Sequence, residues 1–261
     1  KVMKNVTGFD LSKLMAGSFG TLAVMSEVSF KVLPVAEKTR TVLIMSLGDN
    51  SAIQAMSTAM NSAFEVSSVA HLPEGVAKRS AIPRVADAGA AITAIRVEGP
   101  APSVVARCEA LRDLLGKFGD VEELHTANSR ALWREIRDVN YFKADGYDVE
   151  DTSTLWQASV PPASGAAFAR QVLSSCDGEA LFDWGGGEVW LSLTNQDDAA
   201  QGFVRGAIAQ CGGHATLIRA SEGIRRAVNV FQPQDPVLSS LGKRVKESFD
   251  PRNILNPDRM Y

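Results

Sequence analysis

The sequence predicts an α+β protein whose larger part consists of two successive βαββαβ units, which form one sheet with helices on one side. Three observations support this prediction. The order strand, helix, strand, strand, helix, strand occurs twice, over residues of about 39–125 and about 154–219. The strands are short apolar runs bounded by glycine or proline, whereas the helices carry apolar residues at steps of three and four. The order of elements repeats, but the sequence itself shows no repeat.

The first unit begins with a nearly continuous apolar strand, TVLIMSL. Its second helix is strongly amphipathic, because Val104, Cys108 and Leu111 share one face with Leu115. Glycine and proline separate these elements. In chain order we predict strand 41–47, helix 51–64, strand 66–72, strand 90–97, helix 102–118 and strand 120–125.

An exposed helix over 128–139 and a turn at Asp145-Gly146 lead to the second unit. There the run Gly185-Gly186-Gly187 predicts a tight hairpin connection that needs positive φ. After a loop-like stretch over 220–234, Asp235 and Pro236 begin the last helix as N-cap and first helical residue. The second unit contains strand 155–160, helix 164–173, strand 179–184, strand 188–193, helix 197–211 and strand 215–219.

The N-terminal segment combines a short helix, a glycine turn and an alternating run. Asp10 is placed to cap a helix turn that ends at Met15, and Gly17-Ser18-Phe19-Gly20-Thr21 follows it. The alternation over 24–32 predicts a half-buried strand that ends at Pro34. Free amide groups at such a turn suit a phosphate or the polar edge of a flavin ring, although an ordinary helix-to-strand turn has the same spacing.

Composition excludes some classes of function. Hydrophobic residues make up 45% of the 261 residues and charged residues 22%, as in an ordinary globular protein. The net charge of −3 gives no electrostatic footprint for nucleic acid. No apolar run approaches the roughly 20 residues that span a bilayer. The three cysteines, Cys108, Cys176 and Cys211, have unrelated spacings and are interpreted as free thiols in a reducing compartment.

Several polar and aromatic residues are candidates for chemistry, each with a plainer alternative. His214 follows two glycines and could be a general base, or a histidine satisfied by backbone at a strand start. Arg219, Arg225 and Arg226 could bind a carboxylate, or be surface charges. Trp184 could cover a ring system, or fill a core or subunit contact with Trp156 and Trp190.

Motifs at both ends of the chain resemble those of FAD-linked oxidases of the vanillyl-alcohol oxidase and D-lactate dehydrogenase type. The resemblance is carried by Gly8–Leu11 with Leu14, by the run from Gly17 to Leu22, and by the closing run from Phe249 to Tyr261. Further islands resemble the FAD-binding E subunits of bacterial glycolate oxidases, namely Val2–Val6, Asp183–Gly186 and Gly212–Thr216.

The resemblance implies a C-terminal piece of a PCMH-type FAD-binding domain and a cap domain made of two ferredoxin-like units. Because the segment at Lys1 lies well inside the chains of that family, it also implies a C-terminal fragment. The implied domains are 1–37 for the flavin domain, 38–232 for the cap, and 233–261 for a helix and tail that return to the flavin domain.

The resemblance also implies FAD as cofactor, unless binding requires a pyrophosphate loop upstream of Lys1. His214 would be the catalytic base. The residues implied to contact the flavin, most of them through backbone groups, are Asn5, Gly8, Asp10, Leu14, Gly17, Gly20, Thr21, Val24 and Asn256.

Catalytic relatives with the same cap carry histidines for a metal, and this sequence has no such histidine motif, so we predict no metal site. Three departures from the family pattern are Ala23 and Asp258, where relatives usually have glycine, and Gln157, where they often have arginine. Asp258 is expected to face water.

The function implied is that of a cytoplasmic subunit that oxidises glycolate to glyoxylate. Its partners would be a homologous flavin subunit and an iron–sulfur subunit, which would also bring it to the inner membrane. The fragment alone is expected to be inactive. Two alternatives stay open: a non-catalytic scaffold or electron-relay subunit of the same complex, and a flavin oxidoreductase for another 2-hydroxy acid.

Overall fold

The computed structural model describes residues 8–143, 153–194 and 197–260. The helices are α1 Leu11–Met15, α2 Asp49–Met60, α3 Glu74–Ala77, α4 Pro83–Ala86, α5 Ala101–Leu115, α6 Thr126–Arg137, α7 Gly165–Leu173, α8 Gln201–Cys211, α9 Glu222–Ala227 and α10 Pro236–Phe249. The strands are β1 Lys38–Met45, β2 Ser68–Leu72, β3 Ile92–Gly99, β4 Val121–Leu124, β5 Thr154–Ser159, β6 Gly178–Asp183, β7 Glu188–Leu193 and β8 His214–Arg219.

The chain divides into two compact units. The sheet unit is Val35–Gln232, and the motif unit combines Lys1–Pro34 with Pro233–Tyr261. The assignment of these units to a cap and to part of a flavin domain stays a prediction.

The sheet unit contains one eight-stranded antiparallel sheet with the order β4-β1-β3-β2-β6-β7-β5-β8. The first four strands in this order come from one predicted βαββαβ unit and the last four from the other. The two halves join where β2 pairs with β6, at Ala70–Asp183 and His71–Phe182. The predicted fold class and the doubled βαββαβ order are therefore confirmed.

Four helices, α2, α5, α7 and α8, form a layer on one face of the sheet. On α5 the residues predicted to share a face are all fully buried against β1 and β3. Burial of each such side chain contributes about 1.5–3 kcal/mol. Over the second half of the sheet, α7 and α8 pack against Trp156, Phe182 and Leu191.

The sixth helix corrects two predictions, that helix 128–139 is exposed and that all helices lie on one side of the sheet. α6 packs on the opposite face of the first half, with Leu132, Trp133 and Ile136 buried. Nε1 of Trp133 donates to Oγ1 of Thr41 at 2.8 Å, and Ser129 shares a 2.7 Å hydrogen bond with the same hydroxyl. The stripe of apolar residues on α6 is narrow beside three arginines, which is why the sequence suggested an exposed helix.

The motif unit corrects a third prediction, because residues 24–34 form no strand. Among the described residues no other strand pairs with this segment, and Val24 and Phe30 are each 81% exposed. Alternation of apolar and polar side chains indicates only which residues could share a face. A strand also needs a neighbour to accept and donate its backbone hydrogen bonds.

Smaller differences lie in the connections. The predicted loop 220–234 contains α9, whose N-cap Ser221 accepts a hydrogen bond from the amide of Ile224. The predicted positive φ of the hairpin is confirmed at Gly185 and Gly186, with φ of 68° and 94°. α10 begins at Pro236, and the carboxylate of Asp235 caps it as predicted. The predicted turn at Asp145-Gly146 lies outside the described residues.

Candidate functional site

A compact glycine turn follows α1 in the motif unit. Three of its residues have positive φ: Gly17 with 80°, Phe19 with 51° and Gly20 with 71°. The turn is closed by Thr21, whose amide and hydroxyl both donate to the carbonyl of Ser18, at 3.0 and 2.7 Å. Within the described part of the chain, the amides of Gly17 and Gly20 donate to no protein acceptor.

The C-terminal tail is attached to this turn by a buried ion pair. The ammonium of Lys246 on α10 donates to the carbonyl of Thr21 at 2.9 Å, to that of Leu255 at 2.8 Å and to the carboxylate of Asp250 at 2.5 Å. Asp250 also accepts from the amide of Leu255 at 2.8 Å. Hydrogen bonding from Lys246 lowers the pKa of Asp250 to about 2. Lys246 is not among the residues predicted from sequence, although a lysine one helical turn before an aspartate could have suggested this ion pair.

Asn256 makes the closest contact between the tail and the turn. Its side-chain amide donates to the carbonyl of Phe19 at 2.7 Å, and a Cβ added to Gly20 would lie 2.9 Å from its Nδ2 atom. Only glycine therefore fits at residue 20 while Asn256 keeps this position. The guanidinium of Arg259 lies 5.6 Å from the centre of the Phe19 ring.

The other predicted flavin-contact residues lie near this turn along the chain, with differing environments. Gly8 has a φ of 93° and open space where a Cβ would be. Asp10 caps α1 through the amide of Lys13 at 3.3 Å, and the hydrogen bond with the Lys13 side chain lowers the pKa of Asp10. Leu14 is 41% exposed. Val24 lies on the extended segment, and Asn5 lies outside the described residues.

These residues fit one edge of a flavin. The turn offers two free amide donors, Gly17 leaves open space beside its backbone, and exposed Leu14 and Phe19 supply apolar surface. Such donors match the acceptor groups of an isoalloxazine ring or a phosphate. Asp258 is exposed, as predicted, with a φ of 59°. This backbone region favours glycine, which accounts for the glycine that the family usually has there.

A second candidate site is an open cleft of about 720 Å³ in the sheet unit, between α6 and the second half of the sheet. Its floor and walls come from β2, β3, β6, β7 and α6. Trp133, Trp184 and Trp190 line it, and Trp184 is 66% exposed. The cleft also contains four arginines and three acidic residues, namely Arg96, Arg130, Arg134, Arg137, Glu98, Asp183 and Glu188.

Asp183 is the most perturbed acid of this cleft. Its pKa is raised to about 6, mainly by burial and also by the neighbouring Glu188, although the amide of Trp184 and the charge of Arg96 act to lower it. One carboxylate oxygen accepts from the amide of Trp184 at 2.7 Å. The hairpin glycines allow the sharp turn that follows, where Trp184 has a φ of 51°. The motif Asp183–Gly186 is evident in the sequence, whereas the burial that perturbs this carboxylate is set by the tertiary structure.

His214 lies exposed at the start of β8. Cross-strand pairs connect Asp183 with Glu188, Glu188 with Ser159, and Ser159 with His214, so these four residues form one row on the same face of the sheet. With neighbouring strands about 4.8 Å apart, the row spans roughly 14 Å. The structure therefore brings His214 to the face that carries the cleft, which sequence spacing could not show.

The three arginines proposed to bind a carboxylate are engaged elsewhere. Arg219 donates to the carbonyl of Phe142 and to Ser153. Arg226 pairs with Glu222 on exposed α9, and Arg225 donates to the carbonyl of Ile218 at 3.4 Å. Their role as structural and surface charges is the interpretation that the contacts support.

The tryptophans divide between two faces of the sheet. Trp156 is fully buried under α8, where its Nε1 donates to the carbonyl of Ala199 at 2.8 Å. Trp184 and Trp190 lie on the other face, in the cleft. The core-filling alternative therefore holds for Trp156 and fails for Trp184.

Among the described residues, no group of three or more His, Cys, Asp or Glu side chains is placed to hold a metal ion. Within the same ranges, none of the helices has the length and apolar character of a membrane span.

No protein-family model matches the chain. Over its full length it is 30% identical to glycolate oxidase subunit GlcE of Escherichia coli, covering 60% of that protein. It is 26% identical to an uncharacterised FAD-linked oxidoreductase of Mycobacterium tuberculosis and to glycolate oxidase subunit GlcD of Bacillus subtilis, covering 60% and 59% of them. The chain thus spans about 60% of the length of the curated relatives it matches.

Solved structures share the fold at low sequence identity. An alkyldihydroxyacetonephosphate synthase matches 99% of this chain with 52% of its own, at 17% identity and a TM-score of 0.64. A p-cresol methylhydroxylase matches 88% of this chain with 54% of its own, at 16% identity and a TM-score of 0.55. The resemblance to FAD-linked oxidases and to the E subunit of glycolate oxidase, and the PCMH-type fold, are confirmed.

Proposed function

We propose that this chain, a relative of the FAD-linked oxidases along its whole length, is part of an FAD-dependent subunit that oxidises glycolate to glyoxylate. The observation that carries the proposal is the closed glycine turn. Asn256 reaches back to Phe19 across most of the sequence, and two amides of the turn stay free to donate. The turn and Asn256 contain residues that we predicted from sequence to contact the flavin, and this agreement supports the proposal.

The residues that would hold FAD act mainly through their backbone. Gly17, Gly20 and Thr21 form the turn, Asp10 fixes the helix before it, and Asn256 supports it from the tail. Asn5, Gly8, Leu14 and Val24 complete the proposed set. When bound, FAD supplies the acceptor for the hydride of the alcohol carbon. This chain would orient the cofactor and substrate and exclude water from them.

The proposed role is tested by changing Gly20 to alanine in the intact complex. The added methyl meets Asn256 and is strained by the positive φ, so we expect at least about a tenfold loss of FAD affinity. The matched control is Gly206→Ala on the exposed face of α8, where a methyl meets no atom within 4 Å. Flavin absorbance near ~450 nm and glycolate oxidation are measured together.

Two results of this experiment would count against the proposal. One is normal flavin content in Gly20→Ala and in Asn256→Ala. The other is unchanged glycolate oxidation by a complex in which this chain has lost its FAD, which would favour a scaffold or relay subunit instead.

His214 stays the proposed proton acceptor. It lies on the sheet face that carries the cleft, and its side chain is accessible. Loss of a general base typically lowers the rate by about 10²–10⁴. We therefore expect His214→Asn to lower kcat for glycolate by that factor while flavin absorbance stays unchanged. A kcat within threefold or so of the parent value would remove His214 from this role.

The remaining proposals concern partners and substrate range. We propose association with other glycolate oxidase subunits and a cytoplasmic location, on the basis of the similarity to GlcE. The alternative is that the substrate of this protein is another 2-hydroxy acid. In that case, the intact complex should show a higher kcat/KM for that acid than for glycolate when both are assayed.

A further inference from the structure

The cleft in the sheet unit contains one unused donor and one unused acceptor. The guanidinium of Arg96 donates to Ser68 at 2.6 Å and to Ser67 at 3.0 Å, and it stacks on the Trp133 ring at 4.9 Å. Its Nε also lies 3.3 Å from a carboxylate oxygen of Glu98. Its Nη1 donates to no protein group among the described residues. Likewise, the second carboxylate oxygen of Asp183 accepts no hydrogen bond within the described ranges.

Strand pairing places these two groups on opposite sides of β2. Arg96 pairs with Ser68, and Asp183 pairs with Ala70, so the two side chains lie on the same face with β2 between them. Two strand spacings across the sheet and an offset of two residues along β2 separate their Cα atoms by about 12 Å. Because Arg96 reaches over β2 to Ser68, its guanidinium points toward the side of β2 on which Asp183 lies.

Charge and apolar surface around the pair define the ligand further. Arg134 on α6 also lines the cleft and makes no ion pair with a described residue. The α6 side of the cleft is therefore positive. Glu188 is engaged by Gln157, whose amide donates to it. Trp184 and Trp190 provide apolar surface near Asp183. The cleft is therefore cationic on one side and offers a hydrogen-bond acceptor on the other.

We propose that this cleft binds the carboxylate and hydroxyl groups of a small 2-hydroxy acid, with the carboxylate on Arg96 and the hydroxyl on Asp183. A carboxylate accepts charge-assisted hydrogen bonds from a guanidinium, and a hydroxyl donates to a carboxylate oxygen. This inference rests on the proposed function for the class of acid, but it concerns residues of the sheet unit alone and not the glycine turn.

The test is a titration of the 261-residue chain without FAD, followed by tryptophan fluorescence. Three of the four tryptophans, Trp133, Trp184 and Trp190, line the cleft and report binding. Glycolate is compared with acetate, which lacks the hydroxyl, and with ethylene glycol, which lacks the carboxylate, at constant ionic strength. We expect glycolate to bind at least about tenfold tighter than either analogue.

Arg96 is tested by Arg96→Met, which retains much of the packing on Trp133. We expect at least about a tenfold loss of glycolate affinity. The matched control is Arg84→Met, the same charge change at a guanidinium that is 61% exposed outside the cleft. If Arg96→Met unfolds the chain by circular dichroism, Arg96→Lys provides the second variant, with an intermediate loss expected.

Asp183 is tested by the pH dependence of binding. The groups that face it are Glu188 on β7, Arg96 and Glu98 on β3, and Arg130, Arg134 and Arg137 on α6. The pKa near 6 means that Asp183 ionises between pH 5 and 8 and becomes a stronger acceptor for the ligand hydroxyl. The affinity for glycolate relative to acetate should therefore rise over this range. Asp183→Asn should abolish the rise, whereas the exposed control Asp177→Asn should retain it.

Three results would overturn the proposal: equal affinity for glycolate and acetate, equal effects of Arg96→Met and Arg84→Met, or no saturable change in fluorescence. Failure of the flavin proposal would be distinct, because the Gly20→Ala variant would then keep normal FAD content in the intact complex, whereas failure of the cleft proposal would be seen in the glycolate titrations of the free chain.

Discussion

Lys246 shows how one buried ammonium can hold together segments that are far apart in sequence. It contacts the glycine turn through Thr21 and the closing motif through Leu255 and Asp250. A buried lysine is stable only when its charge is paired and its donors are used, and here all three donors are. The aspartate of the closing motif therefore has an architectural role in the motif unit.

Replacing Lys246 with methionine should loosen the turn. The change leaves the Asp250 carboxylate and two buried carbonyls without their donor, and unpaired buried groups are costly. We expect amide hydrogen exchange over residues 17–21 and 253–256 to accelerate by about tenfold or more. Lys243→Met, on the exposed side of α10, is the control, and equal exchange in both variants would contradict the expectation.

The same ion pair should give the motif unit a dependence on acid pH. The pKa of Asp250 is lowered from 3.8 to about 2, so its contribution to stability is complete above pH 4. It is lost as the pH falls through about 2. The NMR signal of the Asn256 side-chain amide should shift over this window, and Asp250→Asn should remove the transition. If the transition persisted in Asp250→Asn and vanished in the exposed control Asp258→Asn, Asp250 would not be its source.

At the scale of elements, α6 is the feature that shapes the cleft. It covers the first half of the sheet through Trp133 and Ile136 and aligns three arginines along its other edge. A buried carboxylate, Glu135, holds this helix to the loop between α3 and α4 and to Tyr141, which follows the helix. It accepts from the hydroxyl of Ser80 at 2.7 Å, the amide of Ala81 at 2.9 Å and the hydroxyl of Tyr141 at 2.9 Å.

Loss of this buried acceptor should destabilise the sheet unit. Glu135→Gln converts one accepting oxygen to a donor that faces other donors, and we expect a cost of about 1–3 kcal/mol in the free energy of unfolding. Tyr141→Phe removes one of the three bonds and should cost about 1 kcal/mol. Urea denaturation measures both. Glu109→Gln on the exposed face of α5 should stay within about 0.5 kcal/mol of the parent, and a Glu135→Gln value that small would contradict the expectation.

At the scale of the whole molecule, the two units differ in how well they bury apolar residues. The sheet unit has three core clusters. In the motif unit, apolar residues of the extended segment and of α10 stay exposed, namely Val24, Val28, Phe30, Val32, Leu33, Val237, Leu238 and Leu241. Exposed apolar surface of this extent marks a surface that associates with another one.

We therefore expect the isolated 261-residue chain to self-associate through the motif unit. Sedimentation velocity should show a concentration-dependent increase in mass that the double change Phe30→Glu and Val32→Glu reduces. Phe203→Glu serves as control, because Phe203 is 51% exposed on α8 in the sheet unit and the substitution also replaces an exposed apolar side chain with a charged one. Monomeric behaviour of the parent chain at high concentration would contradict this expectation.

Prediction from sequence succeeded where local patterns decide the structure. The βαββαβ order, the cap of α10 by Asp235 and the positive φ of Gly185 and Gly186 follow from periodicity, capping and turn chemistry. Prediction failed where the structure of a segment depends on a neighbouring strand. Residues 24–34 alternate like a strand, but no strand among the described residues pairs with them.

The sequence by itself determined the fold class and the resemblance to FAD-linked oxidases, because periodicity and short motifs are local properties of a chain. Only the tertiary structure decided which distant residues meet. It joined Lys246 to Thr21 and Asn256 to Phe19, and it placed Asp183, Glu188 and His214 in one row on the sheet. These contacts depend on strand register and on the return of α10 and the C-terminal tail to the glycine turn. Both are set by the burial of whole elements and not by any residue's neighbours in sequence.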